Sequence, residues 1–405
     1  MNIALLHYST PPVVGGVESV IANHARLMTE DGHSVCLIAA RGESLTEQIS
    51  LTRIPLVDSQ HPRVLAVKES LDRGQVTMEF EVLREELIPQ LRDALSAVDV
   101  LIAHNVCSLN KNLALTAALY QLHIARKIPR LILWHHDLAW TTPRYLPELH
   151  DNYPWDLLRT DWGDTVHVVV SEMRRKELTE LMKLDSAQVR LIPNGVDVAR
   201  FYKLEVQTQE LLGQTRALDA APLMLLPVRV TPRKNIELAL HILAELRKPF
   251  PQAALVVTGP LDPHNPHNRE YFETLLSLRA QLGLRGAAHF LAELEESYLP
   301  DEVIADFYRI ADAMILPSRE EGFGIPLIEA AFSHLPVFCA DIPPLRELGM
   351  RDATFFSPDE NPAIVAGLIA SYFQTTAPAR LALRARSTFR WEAIYRQFIV
   401  SLLSE

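Results

Sequence analysis

The sequence predicts an α/β protein of two Rossmann-like units, each built on a parallel sheet. Three observations predict it. The chain has 405 residues, long for one domain and suited to two of roughly 200 each. Short apolar runs that read as buried strands alternate with longer helical patterns, the order that builds parallel sheets. The strand–loop–helix pattern then restarts after residue 200. Apolar residues make up 48% of the chain, enough for each half to bury its own core.

Bulk properties exclude several classes. A net charge of −11 argues against a general nucleic-acid binder and against broad adhesion to anionic lipid, though it leaves room for a local basic pocket. The cysteines, Cys36, Cys107 and Cys339, are sparse, odd in number and without C-x-x-C spacing, as expected of reduced thiols in a cytoplasmic protein. No apolar run approaches the ~20 residues that span a bilayer, so membrane association is not indicated. The N-terminus enters a strand-like run at once, without a basic region or cleavage site.

In the first half, a strand at 3–7 leads into Ser9-Thr10-Pro11-Pro12-Val13-Val14-Gly15-Gly16-Val17-Glu18 and a helix to about residue 30. A turn of this kind suits an anion, because the helix N-terminus offers unpaired amides and a positive dipole end. It is not G-x-G-x-x-G, which weakens a dinucleotide reading; a purely structural turn is the alternative. A second strand is expected at 33–40. Residues 41–75 are hard to read beyond a short strand at 53–57. A helix at 76–97 precedes a strand at 98–103, which runs into His104 and Asn105. Ligands of open α/β sheets gather at strand carboxyl ends, so both are candidate acceptor contacts. Asn105 and Ser108 serve equally well as helix caps. After a helix at 109–125, the strand at 130–134 ends in His135-His136-Asp137. Two imidazoles and a carboxylate there can act on a hydroxyl or orient a ligand. Zinc is the competing idea, but the local sequence supplies no third ligand. Four of the five tryptophans lie between 134 and 162. Trp140 and Tyr145 in that stretch read as an acceptor wall or lid, with a loop packed over the core as the alternative. A strand at 165–170 and a helix at 172–183 follow, then Pro193-Asn194-Gly195-Val196-Asp197.

The second half opens with a strand at 223–228 that ends at Arg229. Lys234 comes five residues later and a helix begins near Asn235. Two cations flanking a strand-to-helix turn suit a diphosphate, Arg as a planar fork and Lys as a point charge. A strand at 253–257 ends in Thr258-Gly259-Pro260. Residues 262–268 read as a turn, not a metal motif. A strand at 288–291 and a helix at 301–310 precede the apolar run 313–316. Pro317 to Gly324 then forms a glycine-containing loop, and a helix starts at Ile325, with Pro326 in its first turn. Gly322 and Gly324 let the backbone approach a ligand. Glu321 and Glu329, eight positions apart, can grip hydroxyls at two ends of one elongated molecule. Further strands at 336–339 and 354–356 and helices at 363–373 and about 380–403 complete the chain.

Glu, seven residues, Glu within Glu321-Gly322-Phe323-Gly324-Ile325-Pro326-Leu327-Ile328-Glu329-Ala330 resembles the donor-site motif of retaining GT-B glycosyltransferases of family four, the group 1 type. The resemblance extends over essentially the whole chain and is most specific in the second half. It implies GT-B architecture, with two Rossmann-like lobes facing an interdomain cleft. It implies domains at 1–200 and 201–378, a polar linker through Gln214, and a segment 379–405 that packs back on the first lobe, anchored by Trp391. Glu321 would lie near the donor sugar and Glu329 on the nucleotide ribose. Backbone around Gly322, Phe323, Gly324 and Ile325 would face sugar or diphosphate, with Gly259 beside it and Leu291 framing the base. Arg229 and Lys234 would neutralise the departing diphosphate, although Val228 stands where the family has Gly. Gly15 and Gly16 match the loop that approaches the donor, and Glu18 holds its usual acidic position. His136, followed by Asp137 and Leu138, matches the family's strand-end His best; His135 is the alternative.

The resulting expectation is a cytoplasmic, retaining hexosyltransferase. Its donor is a nucleotide-diphosphate sugar, GDP-mannose before UDP-glucose, and its acceptor a hydroxyl compound. No nucleic-acid partner, essential metal or other cofactor is expected. A GT-B sugar-nucleotide epimerase and a non-catalytic nucleotide-sugar-binding subunit are the alternatives; a NAD-dependent enzyme lacks its glycine fingerprint.

Overall fold

Strand β1 (Asn2–Leu6) carries Ile3-Ala4-Leu5-Leu6, all buried. A run that is apolar on both faces belongs in a sheet covered on both sides, as parallel sheets are. The computed structural model describes residues 1–405 except 262–265, 296–297 and 405. It divides into two compact units, Met1–Gly195 with Ile394–Glu405, and Val196–Ala393.

The first unit adds β2 (Ser34–Ala39), β3 (Ile49–Arg53), β4 (Val100–His104), β5 (Arg130–His135), β6 (Thr165–Val169) and β7 (Val189–Leu191). Their order is β3-β2-β1-β4-β5-β6-β7, parallel throughout. The second unit holds β8 (Leu223–Leu226), β9 (Ala254–Val257), β10 (Ala288–Phe290), β11 (Ala313–Leu316), β12 (Val337–Ala340) and β13 (Thr354–Phe356). Their order is β10-β9-β8-β11-β12-β13, again parallel. In both units the chain runs outward over three strands, then returns to the middle and runs the other way. Strand order therefore reverses between β1 and β4 and between β8 and β11, and a crevice opens at the carboxyl ends there. Both units are thus Rossmann-like. Among the described residues no helix is long and apolar enough to cross a membrane.

Several expected boundaries move. The strand read at 53–57 is β3, earlier in the chain, and Pro55–Val57 is a turn of 3-10 helix. A helix at Pro62–Leu71 was not foreseen; Val64, Val67 and Leu71 bury one face of it. The polar linker through Gln214 is instead the helix Val206–Thr215, which buries Leu211 and Leu212 in the second unit's core. The loop expected at 262–268 lies largely outside the described residues, and the helix Pro266–Gln281 takes its last three positions. The segment from 379 does not return to the first unit at once. Helix Ala377–Thr388 stays with the second, where Arg386 pairs with Asp312 at 3.1 Å and Arg390 with Asp219 at 2.5 Å. Trp391 is buried before the crossing at Ile394. Beyond it Tyr395 donates to Asp31 at 2.9 Å, and Arg130 donates to the Leu402 and Leu403 carbonyls.

Candidate active site

In the second unit the turn after β8 and the loop after β11 meet at the switch point. Lys234 makes the most buried ionic contact between them. Its Nζ donates to Glu321 Oε1 at 2.6 Å, and the two side chains are only 9% and 7% exposed. Arg233 lies 4.0 Å from the other Glu321 oxygen and donates to the Glu320 carbonyl. Asn235 ties the same two segments from beneath. It sits at φ 54°, a left-handed position that Asn tolerates, and its amide donates to the carbonyls of Pro317 and Pro358. Burial pulls the Lys234 ammonium below its ordinary pKa, Glu321 pulls it back up, and Arg233 and Arg229 lower it further.

A cavity of about 340 Å³ opens beside this pair. Arg229, Lys234, Gly259, Ile325 and Glu329 all line it, with Tyr298 and Asp301 on its wall. Arg229 is exposed and has no hydrogen-bond partner among the described residues, so its guanidinium is available to a ligand. Glu329 is exposed, and one of its oxygens accepts from Tyr308 at 2.6 Å. That leaves the other oxygen for a hydroxyl. Gly259 is dictated by packing: a Cβ there would lie 1.9 Å from the Val228 carbonyl oxygen. Gly324 sits at φ 105° directly before helix Ile325–Phe332, a conformation that L side chains rarely adopt. A cationic side, an acidic hydroxyl-binding side and a glycine-shaped floor suit a phosphorylated sugar derivative.

Comparison with known proteins divides the chain in the same way. The family described as Glycosyltransferase Family 4 matches residues 14–200, and Glycosyl transferases group 1 matches residues 208–386. The chain belongs to the group 1 glycosyltransferases. Its architecture is GT-B, and it is a glycosyltransferase. A mannosylglucosylglycerate synthase of Thermotoga maritima is 25% identical over 397 residues, 88% of this chain and 86% of that one. A D-inositol 3-phosphate glycosyltransferase of Frankia alni is 31% identical over 190 residues, 45% of this chain and 44% of its own length. Among solved structures, sucrose-phosphate synthase from Thermosynechococcus elongatus aligns over 100% of this chain and 98% of its own, at 18% identity and a TM-score of 0.36.

The first unit gathers the other group 1 positions at the ends of β1, β4 and β5. Glu18, in the first turn of helix Gly16–Glu30, accepts from Ser9 Oγ at 2.7 Å and stands 3.9 Å from His7 Nε2. Its carboxylate lies so close under Gly15 that a Cβ there would be 2.0 Å from Oε2. Gly16 has open space around it. His136 is 9% exposed; burial, and then His7, lower its pKa to about 3. Asp137 is held by Arg174 at 3.1 Å.

The remaining expected positions of this unit are buried or partly buried. His135 is 1% exposed, and its Nε2 meets His167 Nδ1 at 3.0 Å inside the unit. Alternation along the chain turns it away from His136, so it is a core residue. His104 is fully buried. Asn105 is 4% exposed, and its side-chain oxygen accepts from the amides of His136 and Asp137, so it shapes that turn. In the aromatic loop Trp155 and Trp162 lie in the core, while Trp140, which donates to the Trp155 carbonyl under the Arg159 guanidinium, and Tyr145 pack against it and stay partly exposed. In the second unit Leu291 is 1% exposed and does not line the cavity, nor do Gly322, Phe323 and Gly324. Tyr308, Asn235 and Ser9 went unnoticed in the sequence. Asn235 carried a signal, an Asn directly before a helix, but Tyr308 lies 21 residues from the carboxylate it holds and carried none.

Proposed function

We propose that the chain moves a hexose from a nucleotide-diphosphate sugar to a hydroxyl acceptor with retention of configuration, using GDP-mannose in preference to UDP-glucose. The observation that carries the reading is that Arg229, Lys234 and Glu329 converge on one cavity of the second unit. Arg229 and Lys234 take the diphosphate, and charge placed where a leaving group develops is often the largest part of catalysis. Glu329, braced by Tyr308, takes the ribose hydroxyls. Glu321 holds Lys234 until the donor arrives and then faces the sugar. In the first unit His136 is the residue that meets a sugar. The bond from the anomeric carbon to the phosphate oxygen breaks, the acceptor hydroxyl attacks the same face, and its proton leaves on the diphosphate. No side-chain nucleophile and no metal is required.

A small soluble polyol or glycosylated acid is the acceptor class best supported. The names of the Thermotoga and Frankia relatives point that way, and so does the acidic surface charge. Transfer takes place in the cytoplasm. The test is a thermal-shift screen of GDP-mannose, UDP-glucose, ADP-glucose and NAD, followed by product analysis with and without acceptors. Stabilisation by GDP-mannose that is lost in Arg229→Ala and Lys234→Ala is the expected result. Stabilisation by NAD alone would overturn the reading, and release of an epimerised free sugar without acceptor would replace it with an epimerase.

A further inference from the structure

His104 never reaches the surface, yet its ring lies edge to edge with that of His136. The centroids are 5.5 Å apart with 26° between the planes, and His104 Nδ1 lies 3.2 Å from His136 Nε2. Only one of these nitrogens can carry the proton between them. The other face of His104 decides which. His104 Nε2 is buried without a hydrogen-bond partner. A proton there would be a buried N–H with no acceptor, which folded proteins avoid more strictly than an idle lone pair. The proton therefore sits on His104 Nδ1, and His136 Nε2 accepts it. His7 does not compete, because its Nδ1 donates to the His104 backbone carbonyl at 2.8 Å. Burial keeps both imidazoles neutral, with neighbouring imidazoles adding to the effect. A neutral His136 that accepts at Nε2 carries its own proton on Nδ1. That nitrogen has no hydrogen-bond partner among the described residues, and His136 keeps 9% of its surface accessible.

We propose that His104 is a positioning residue that locks His136 in the Nδ1–H tautomer, so that His136 meets the transferred sugar as a hydrogen-bond donor and not as a base. This rests on the assignment of His136 to the sugar. An N–H at that place holds a sugar oxygen and cannot take the acceptor's proton, which agrees with the proton leaving on the diphosphate.

Long-range proton–nitrogen correlation on labelled histidine reads the tautomer directly, and His136→Ala identifies the signal. Wild type should show His136 protonated at Nδ1, and so should His104→Gln, whose amide still donates. His104→Leu removes the donor. Its His136 should populate both tautomers, and GDP release from GDP-mannose, which needs no acceptor, should fall by about tenfold at unchanged KM, the size of one well-placed hydrogen bond. A protonated Nε2 on His136 in wild type overturns the inference and leaves sugar transfer untouched. So does GDP release in His104→Leu equal to wild type. If the Leu variant does not fold, the wild-type and Gln spectra decide. Full activity in His136→Ala would instead overturn its assignment to the sugar.

Discussion

Replacing Glu321 by Gln keeps the side chain's shape and removes its charge. In the wild type the carboxylate accepts from Lys234 at 2.6 Å, and Arg233 stands 4.0 Å from its second oxygen. Arg229 repels Lys234, whose pKa burial already lowers. Glu321→Gln leaves these three cations on one turn without their shared counter-charge. Removing one partner of a fully buried pair costs about 3–5 kcal/mol. This pair borders an open hollow, and solvent screening there reduces the expected cost to about 2 kcal/mol. Each kcal/mol moves the midpoint of a unit this size by about 2–4 °C, so its Tm should fall by about 4–8 °C. Calorimetry of wild type, Glu321→Gln, Lys234→Met and the double variant gives the coupling energy directly. Nucleotide should act in the opposite sense. GDP supplies the missing negative charge, so it should raise the Tm of Glu321→Gln more than that of wild type. A coupling below about 0.5 kcal/mol would refute the reasoning, since that is the size of an ordinary exposed pair. A smaller GDP shift in the variant would refute it too.

Three further outcomes are expected. Gly259→Ala must push a methyl into the Val228 carbonyl, so stability should drop by more than about 2 kcal/mol in chemical denaturation and donor binding should weaken with it. Tyr308→Phe frees the Glu329 carboxylate; calorimetric titration should show nucleotide affinity falling several-fold, about 1 kcal/mol, while the fold is kept. Acid should weaken the first unit through its buried imidazoles. Burial depresses His7 to about 4 and His24 and His136 to about 3, so between 6.5 and 4 the unfolded chain binds more protons than the folded one. Their stabilisation is complete above pH 6.5 and is lost as pH falls towards those values, at about 3–5 kcal/mol for each imidazole taken alone. Urea midpoints measured across that range should fall with pH, and His24→Phe should flatten the slope.

Much of the second unit's site was legible before the structure. Arg229 and Lys234 flank a strand-to-helix turn, and Glu321 and Glu329 bracket a helix start; both are short-range patterns. The first unit was harder. His104, His135 and His136 all stand at strand ends and look alike in sequence. Which one faces outward depends on the face of the sheet each strand presents and on what covers it. The aromatic stretch was ambiguous for a similar reason, because tryptophans suited to stacking on sugars are equally suited to filling a core.

The sequence by itself determined two parallel α/β units, the turn chemistry around Arg229 and Lys234, and the acidic pair in the loop and helix after β11. Those features follow from periodicity and spacing within a few residues. Only the tertiary structure decided that Lys234 and Glu321 form one buried pair, that Tyr308 braces Glu329, and that His136 is more accessible than His104 and His135. These depend on contacts between segments far apart in the chain, and on how completely each group loses water when they close.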